Sequence, residues 1–152
     1  MSERLYLEDV FVGQRFVTGT HTMTAEEIKA FARDYDPQPF HTDEDAAKDS
    51  FFDGLAASGW HTAAITMRLQ IDSGPPLAGG MIGAGGELSW PRPVRPGDVL
   101  HVESEVLAVT PSKSRPERGM ITLKSETKNQ KGEVVQLFTV KLLIWRRPEY
   151  GF

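Results

Sequence analysis

No cysteine occurs among the 152 residues, so disulfides, a thiolate nucleophile and zinc–thiolate ligation are all excluded. Also missing is any apolar run long enough to span a bilayer. The first residues, Met1 to Asp9, lack the apolar core and small-residue cleavage site of a secretory leader, and a cytoplasmic location is expected. Basic residues are in slight deficit, 17 Lys and Arg against 21 Asp and Glu, for a formal charge of -4. No basic face stands out to grip a phosphate backbone, so no nucleic-acid partner is expected, and an anionic ligand needs a local basic patch. Internal repeats, low-complexity tracts and dividing linkers are absent too. What remains is 39% apolar and 25% charged, the composition of one soluble globular domain, expected to occupy residues 1–152.

The order of elements is informative. Residues from Arg15 to Met23 are rich in β-formers and read as a first strand. Thr24 and Glu27 have the spacing of a capping box, and Ile28, Phe31, Ala32 and Tyr35 follow it as one buried helical stripe. A short polar helix is expected from Asp43 to Lys48, then a longer one from Ser58 to Asp72. On the longer helix Trp60, Ala63, Ala64, Met67 and Ile71 form the face expected to be buried. From Met81 the period changes to two: Leu100, Val102, Val106 and Ala108 alternate with His101, Glu103 and Glu105, and Ile121 and Leu123 with Thr122, Lys124 and Glu126. After the turn at Asn129 to Gly132, the stretch from Val134 to Trp145 reads as a central strand. The pattern is α+β, an antiparallel sheet wrapped around one central helix.

Asp36-Pro37-Gln38-Pro39-Phe40-His41 sets a carboxylate and an imidazole five residues apart on a loop stiffened by two prolines. Aimed at one point, such a pair can hold a water and move its protons. Asp36 alone reads equally as a turn residue before Pro. Further on, Ala56-Ala57-Ser58-Gly59-Trp60-His61 opens the long helix with a glycine amide at its mouth, an N–H donor at the positive end of the helix dipole. Gly59 is open to a second reading, as a close-packing glycine.

The chain resembles the MaoC-like family of the hotdog fold, which includes (R)-specific enoyl-CoA hydratases. The family loop runs Asp-x-Asn-Pro-x-His, matched by Asp36 to His41, with Gln38 in place of the Asn. Phe52-Asp53-Gly54-Leu55-Ala56-Ala57-Ser58-Gly59 aligns without a gap to the family stretch ending in His-Gly, and the segment from Gly86 to Asp98 matches its later strand and turn. One departure is Met67, which stands where the hydratases carry a Ser.

The resemblance implies a hydro-lyase that adds water to a 2-enoyl thioester to give an (R)-3-hydroxyacyl thioester, or the reverse. It needs no cofactor, coenzyme A being part of the substrate. Asp36 and His41 are then the catalytic pair, the Gly59 amide the donor to the thioester oxygen, and Gln38, Ser58, Trp60 and Met67 the substrate-binding set. Trp60 and Met67 read as core or pocket wall. A dimer or higher oligomer with the acyl tunnel at the subunit interface is implied as well. Two rivals remain: an acyl-CoA thioesterase, because the same fold hosts thioester hydrolysis, and a non-catalytic acyl-CoA-binding module, which Met67 favours.

Other signals are read structurally. The acids of His41-Thr42-Asp43-Glu44-Asp45 open a helix rather than bind metal, and Gly83-Ala84-Gly85-Gly86 is a strand where backbone or ligand approaches closely. Ser112 to Arg118 is a solvated hairpin loop. His61 is expected to be a hydrogen-bonded structural histidine, and His21 and His101 to face solvent.

Overall fold

The alternating stretches become the long strands of one six-stranded antiparallel sheet. A computed structural model describes residues 3–148; the extreme ends of the expected domain, residues 1–2 and 149–152, lie outside it. β1 (Arg15–Val17) and β2 (His21–Thr22) both pair with β4 (Val99–Pro111). β4 pairs with β5 (Arg118–Lys128), β5 with β6 (Val134–Trp145), and β6 with β3 (Ile82–Ser89), which forms an edge. The first expected strand is therefore split in two. Thr18 causes the break: its hydroxyl donates to the Gly19 carbonyl and accepts from Val102 N–H, so the chain leaves the ladder there.

Four helices interrupt the strands after β2. α1 (Ala25–Tyr35) starts at the expected box, with Glu27 N–H donating to Thr24 Oγ1 and Thr24 N–H to the Glu27 carboxylate. Ile28 and Ala32 are fully buried, but Tyr35, expected on the same stripe, is exposed. It lies in the last turn, beyond the reach of the core. The proline-rich stretch, expected to be a loop, contains one helical turn, α2 (Pro39–Thr42), because Pro39 at its first position carries the φ a helix needs. Asp43 then caps α3 (Glu44–Lys48) by accepting from Asp45 and Ala46 N–H, so those acids do open a helix.

α4 (Gly59–Ser73) is the central helix, and it sits the other way round from the expectation. Its buried side is His61, Thr62, Thr66, Leu69 and Gln70, while Trp60 is 61% exposed and Ile71 58% exposed. The reason is a seam of polar partners on the sheet. Thr66 Oγ1 lies 2.6 Å from Thr127 Oγ1, and Gln70 Nε2 donates to Ser104 Oγ and Ser125 Oγ at 3.0 and 2.9 Å. Gln136 Nε2 donates to Thr66 Oγ1. Groups so paired lose little on leaving water, whereas Gln70 Oε1 is buried without a hydrogen-bond partner. The apolar side of α4 is left free to line a cleft. No helix among the described residues is long and apolar enough to cross a membrane.

The core lies on both ends of this seam. Met23, Ile28, Leu69, Leu100, Val102 and Val135 form one cluster, and Leu7, Leu77, Val106, Ile121, Leu142 and Ile144 the other. The first cluster fixes α1 and α4 against the sheet, so the end of one helix and the start of the other meet at a defined place.

Candidate active site

Asp36 is the C-cap residue of α1, where the helix must stop before Pro37, and His41 follows on α2. The geometry brings their side chains together: His41 Nε2 is 3.4 Å from Asp36 Oδ2, with side chains only 6% and 17% exposed. His41 Nδ1 is 2.6 Å from the Ala56 carbonyl oxygen. A carbonyl can only accept, so Nδ1 carries the proton, and in the neutral ring Nε2 is a bare acceptor facing the carboxylate. Two acceptors at that spacing are suited to share one donor, such as a water held by both.

Burial pushes the Asp36 carboxyl up, but the Gln38 amide, the Ser58 hydroxyl and His41 together outweigh it and hold the group below its ordinary value. Gln38 Nε2 donates to Asp36 Oδ1 at 2.5 Å. Ser58 is fully buried and caps α4, accepting from Trp60 N–H. Gly59 begins α4, and among the described residues its N–H makes no hydrogen bond, as is usual in a first helical turn. A Cβ added at Gly59 would stand 2.6 Å from Trp90 Cε2, so close packing also requires glycine here.

His41 and Gly59 line the same cleft, of about 430 Å³, together with Phe52, Thr62, Trp90 and Arg92. Trp60 and Met67 line a different cleft of about 510 Å³ between α4 and the sheet. Gln38 and Ser58 reach Asp36 rather than either cleft wall. The predicted residues thus divide into a cluster around the carboxylate and a pair beside the second space.

Several contributors were not read from the sequence. The Ala56 carbonyl fixes the imidazole tautomer. Arg95 donates to the carbonyls of Phe52, Gly54 and Leu55, clamping the loop that leads to Ala56. Trp90 packs on Gly59 and donates from Nε1 to Gln136 Oε1 at 3.0 Å. Their one sequence signal is Trp90-Pro91-Arg92-Pro93-Val94-Arg95, a rigid run whose destination requires the fold.

The other histidines lie elsewhere. His61 is buried and stacked on Phe31 with centroids 4.7 Å apart; its Nε2 faces the Glu27 carboxylate 3.7 Å away while its Nδ1 has no hydrogen-bond partner, so the expected structural histidine is paired on one side only. Burial pushes its pKa below the ordinary value, with Glu27 pulling the other way. His21 and His101, expected to face solvent, are half-buried against Glu27 and Glu103, at 3.0 and 2.8 Å. Glu27, on α1, and Glu103, on β4, each give their imidazole a carboxylate partner.

A sheet wrapped on a central helix, with an acid and an imidazole gathered at the helix mouth, defines a hotdog-type α+β protein. A family model described as MaoC like domain matches residues 10–129. The chain belongs to the MaoC-like dehydratase domain family. A solved MaoC-like dehydratase from Rhodospirillum rubrum is 64% identical, with a TM-score of 0.93 over 95% of this chain and 99% of that one. The unliganded (R)-hydratase PhaJ1 of Pseudomonas aeruginosa is 26% identical, with a TM-score of 0.74 over 95% of this chain and 88% of that one. An uncharacterized Bacillus subtilis protein, YdeM, is 38% identical over 128 residues, covering 82% of this chain and 88% of its own.

Proposed function

We propose that this protein is a hydro-lyase adding water to a 2-enoyl-CoA to give an (R)-3-hydroxyacyl-CoA, or catalysing the reverse dehydration. The observation that carries this reading is the 3.4 Å approach of His41 Nε2 to Asp36 Oδ2, with Nδ1 tied to the backbone. A water held by both groups attacks the β-carbon as His41 takes one of its protons. The double-bond electrons move onto the thioester oxygen, where the Gly59 N–H and the α4 dipole stabilise the enolate charge. The proton held by the pair then passes to the α-carbon, so one water has been added and both residues are restored. The name (R)-hydratase carried by the Pseudomonas relative agrees with this chemistry.

The active form is a dimer or higher homo-oligomer. β3 is an edge strand with an exposed face, and Trp60, Met67 and Ile71 project from the neighbouring helix.

The test is the wild type with crotonyl-CoA, followed simultaneously for enoyl absorbance and free thiol, beside Asp36→Asn and His41→Ala. Loss of absorbance without thiol, abolished in both variants, is the expected result. Thiol release would identify a thioesterase instead, and saturable binding without turnover of any enoyl or acyl thioester tested would leave a binding module.

A further inference from the structure

Two clefts flank a pair of tryptophans. The cleft beside His41 and Gly59 includes Trp90, and the larger one behind it includes Trp60. The two rings meet edge to face, with centroids 5.3 Å apart. Trp90 is fixed on three sides: by Trp60, by the Gly59 backbone, which leaves no room for a Cβ, and by its bond to Gln136. Gln136 in turn is tied to Thr66 on α4. A ring held in this way is a wall rather than a lid.

The space behind that wall is well suited to hydrocarbon. Leu123, Phe138 and Leu142 line it, and Gly83, Gly85 and Gly86 widen it where the register of β3 on β6 shifts. An apolar chamber of about 510 Å³ is of ligand-binding size. Whether an acyl chain that starts beside His41 can enter it depends on the wall.

We infer that Trp90 sets the acyl length this protein accepts, confining the chain to the cleft beside His41 and closing off the chamber behind. The inference rests on the thioester reading of the site. Trp90 touches no reacting atom; it acts as a specificity determinant. A smaller side chain there joins the two clefts and admits longer chains.

The experiment is calorimetric titration of full-length wild type, Trp90→Leu and Trp90→Ala with butyryl-CoA and dodecanoyl-CoA, which are saturated and cannot be hydrated. Wild type is expected to prefer butyryl-CoA. In the variants the dodecanoyl-to-butyryl affinity ratio should rise about ten-fold or more, because extra methylenes become buried. Thermal melts verify that each variant is folded. An unchanged ratio in a folded variant overturns the inference alone, as does a wild type that prefers dodecanoyl-CoA. Failure of both ligands to bind wild type removes the thioester reading and the inference with it.

Discussion

The imidazole of His41 is held by the Ala56 carbonyl, 2.6 Å from Nδ1, so its free nitrogen is the one that faces Asp36. Nitrogen-15 spectra of the neutral ring should therefore show the Nδ1–H tautomer alone, and a mixture would undo the water-holding geometry. His41→Ala, with both the base and its anchor gone, is expected to lower the hydration rate by about 10²–10⁴-fold, the usual worth of a positioned acid or base. Steady-state kinetics on a variant shown to be folded provides the check.

Asp36 stays ionised although partly buried, because Gln38 and Ser58 favour its charged form over the opposing push of burial. Removing either support should let burial gain ground. Its folded pKa lies below the unfolded one, so the carboxylate contributes stability above its ordinary value of about 3.9 and loses it as pH falls through the lower folded value. For Gln38→Leu and Ser58→Ala, both losses move to higher pH: the acid limb of activity and the acid side of the stability curve. A rate–pH profile with an unmoved acid limb in both variants would show that neither supports the charge.

Arg95 spans three backbone carbonyls, those of Phe52, Gly54 and Leu55. A planar guanidinium can fork among them, whereas an ammonium is a point donor. Arg95→Ala is expected to cost about 2–4 kcal/mol in urea unfolding, with Arg95→Lys recovering less than half, since hydrogen bonds to charged groups contribute about 1.5–3 kcal/mol. Activity should fall with both, because the clamped loop ends at the carbonyl that holds His41. Stability equal to wild type in Arg95→Ala would mean the loop needs no clamp.

His61 stacks on Phe31, buried and with one nitrogen unpaired. Its folded pKa is lowered, so as pH falls below about 6.5 the unfolded chain takes up a proton that the folded one resists. Stability is full above that value and declines beneath it. His61→Phe keeps a ring on Phe31 and removes the titration, so urea melts between pH 5 and 8 should show a flatter profile than wild type. A profile as steep as wild type would place the acid sensitivity elsewhere.

Legibility followed the range of the interactions. The capping box at Thr24 and Glu27 and the alternating faces of β4 and β5 depend on neighbours a few residues away, and the pattern reveals them. The Asp36–His41 pair was legible for the same reason: both ends sit on one short stiffened segment. The facing of α4 was not. Thr66 and Gln70 look solvent-facing until Ser104, Ser125, Thr127 and Gln136 arrive from strands far along the chain to pair the Thr66 hydroxyl and the Gln70 amide nitrogen. Likewise, the meeting of Trp90 with Gly59 joins segments separated by a helix and a strand, and no local spacing encodes it.

The inverted helix also bears on assembly. With its polar stripe turned to the sheet, α4 presents Trp60, Met67 and Ile71 outward, next to the unpaired edge of β3. A lone chain would leave both an apolar stripe and a row of unpaired backbone groups in water, an arrangement that invites pairing. Joining two β3 edges would satisfy the backbone and cover the stripe together. Sedimentation equilibrium at micromolar concentration is expected to give at least twice the chain mass. Ile71→Asp, which puts a charge on that stripe, should shift the equilibrium toward monomer and reduce hydration by the same fraction. A wild-type monomer at that concentration, or an Ile71→Asp oligomer as tight as wild type, would mean that the stripe and edge serve something other than self-association.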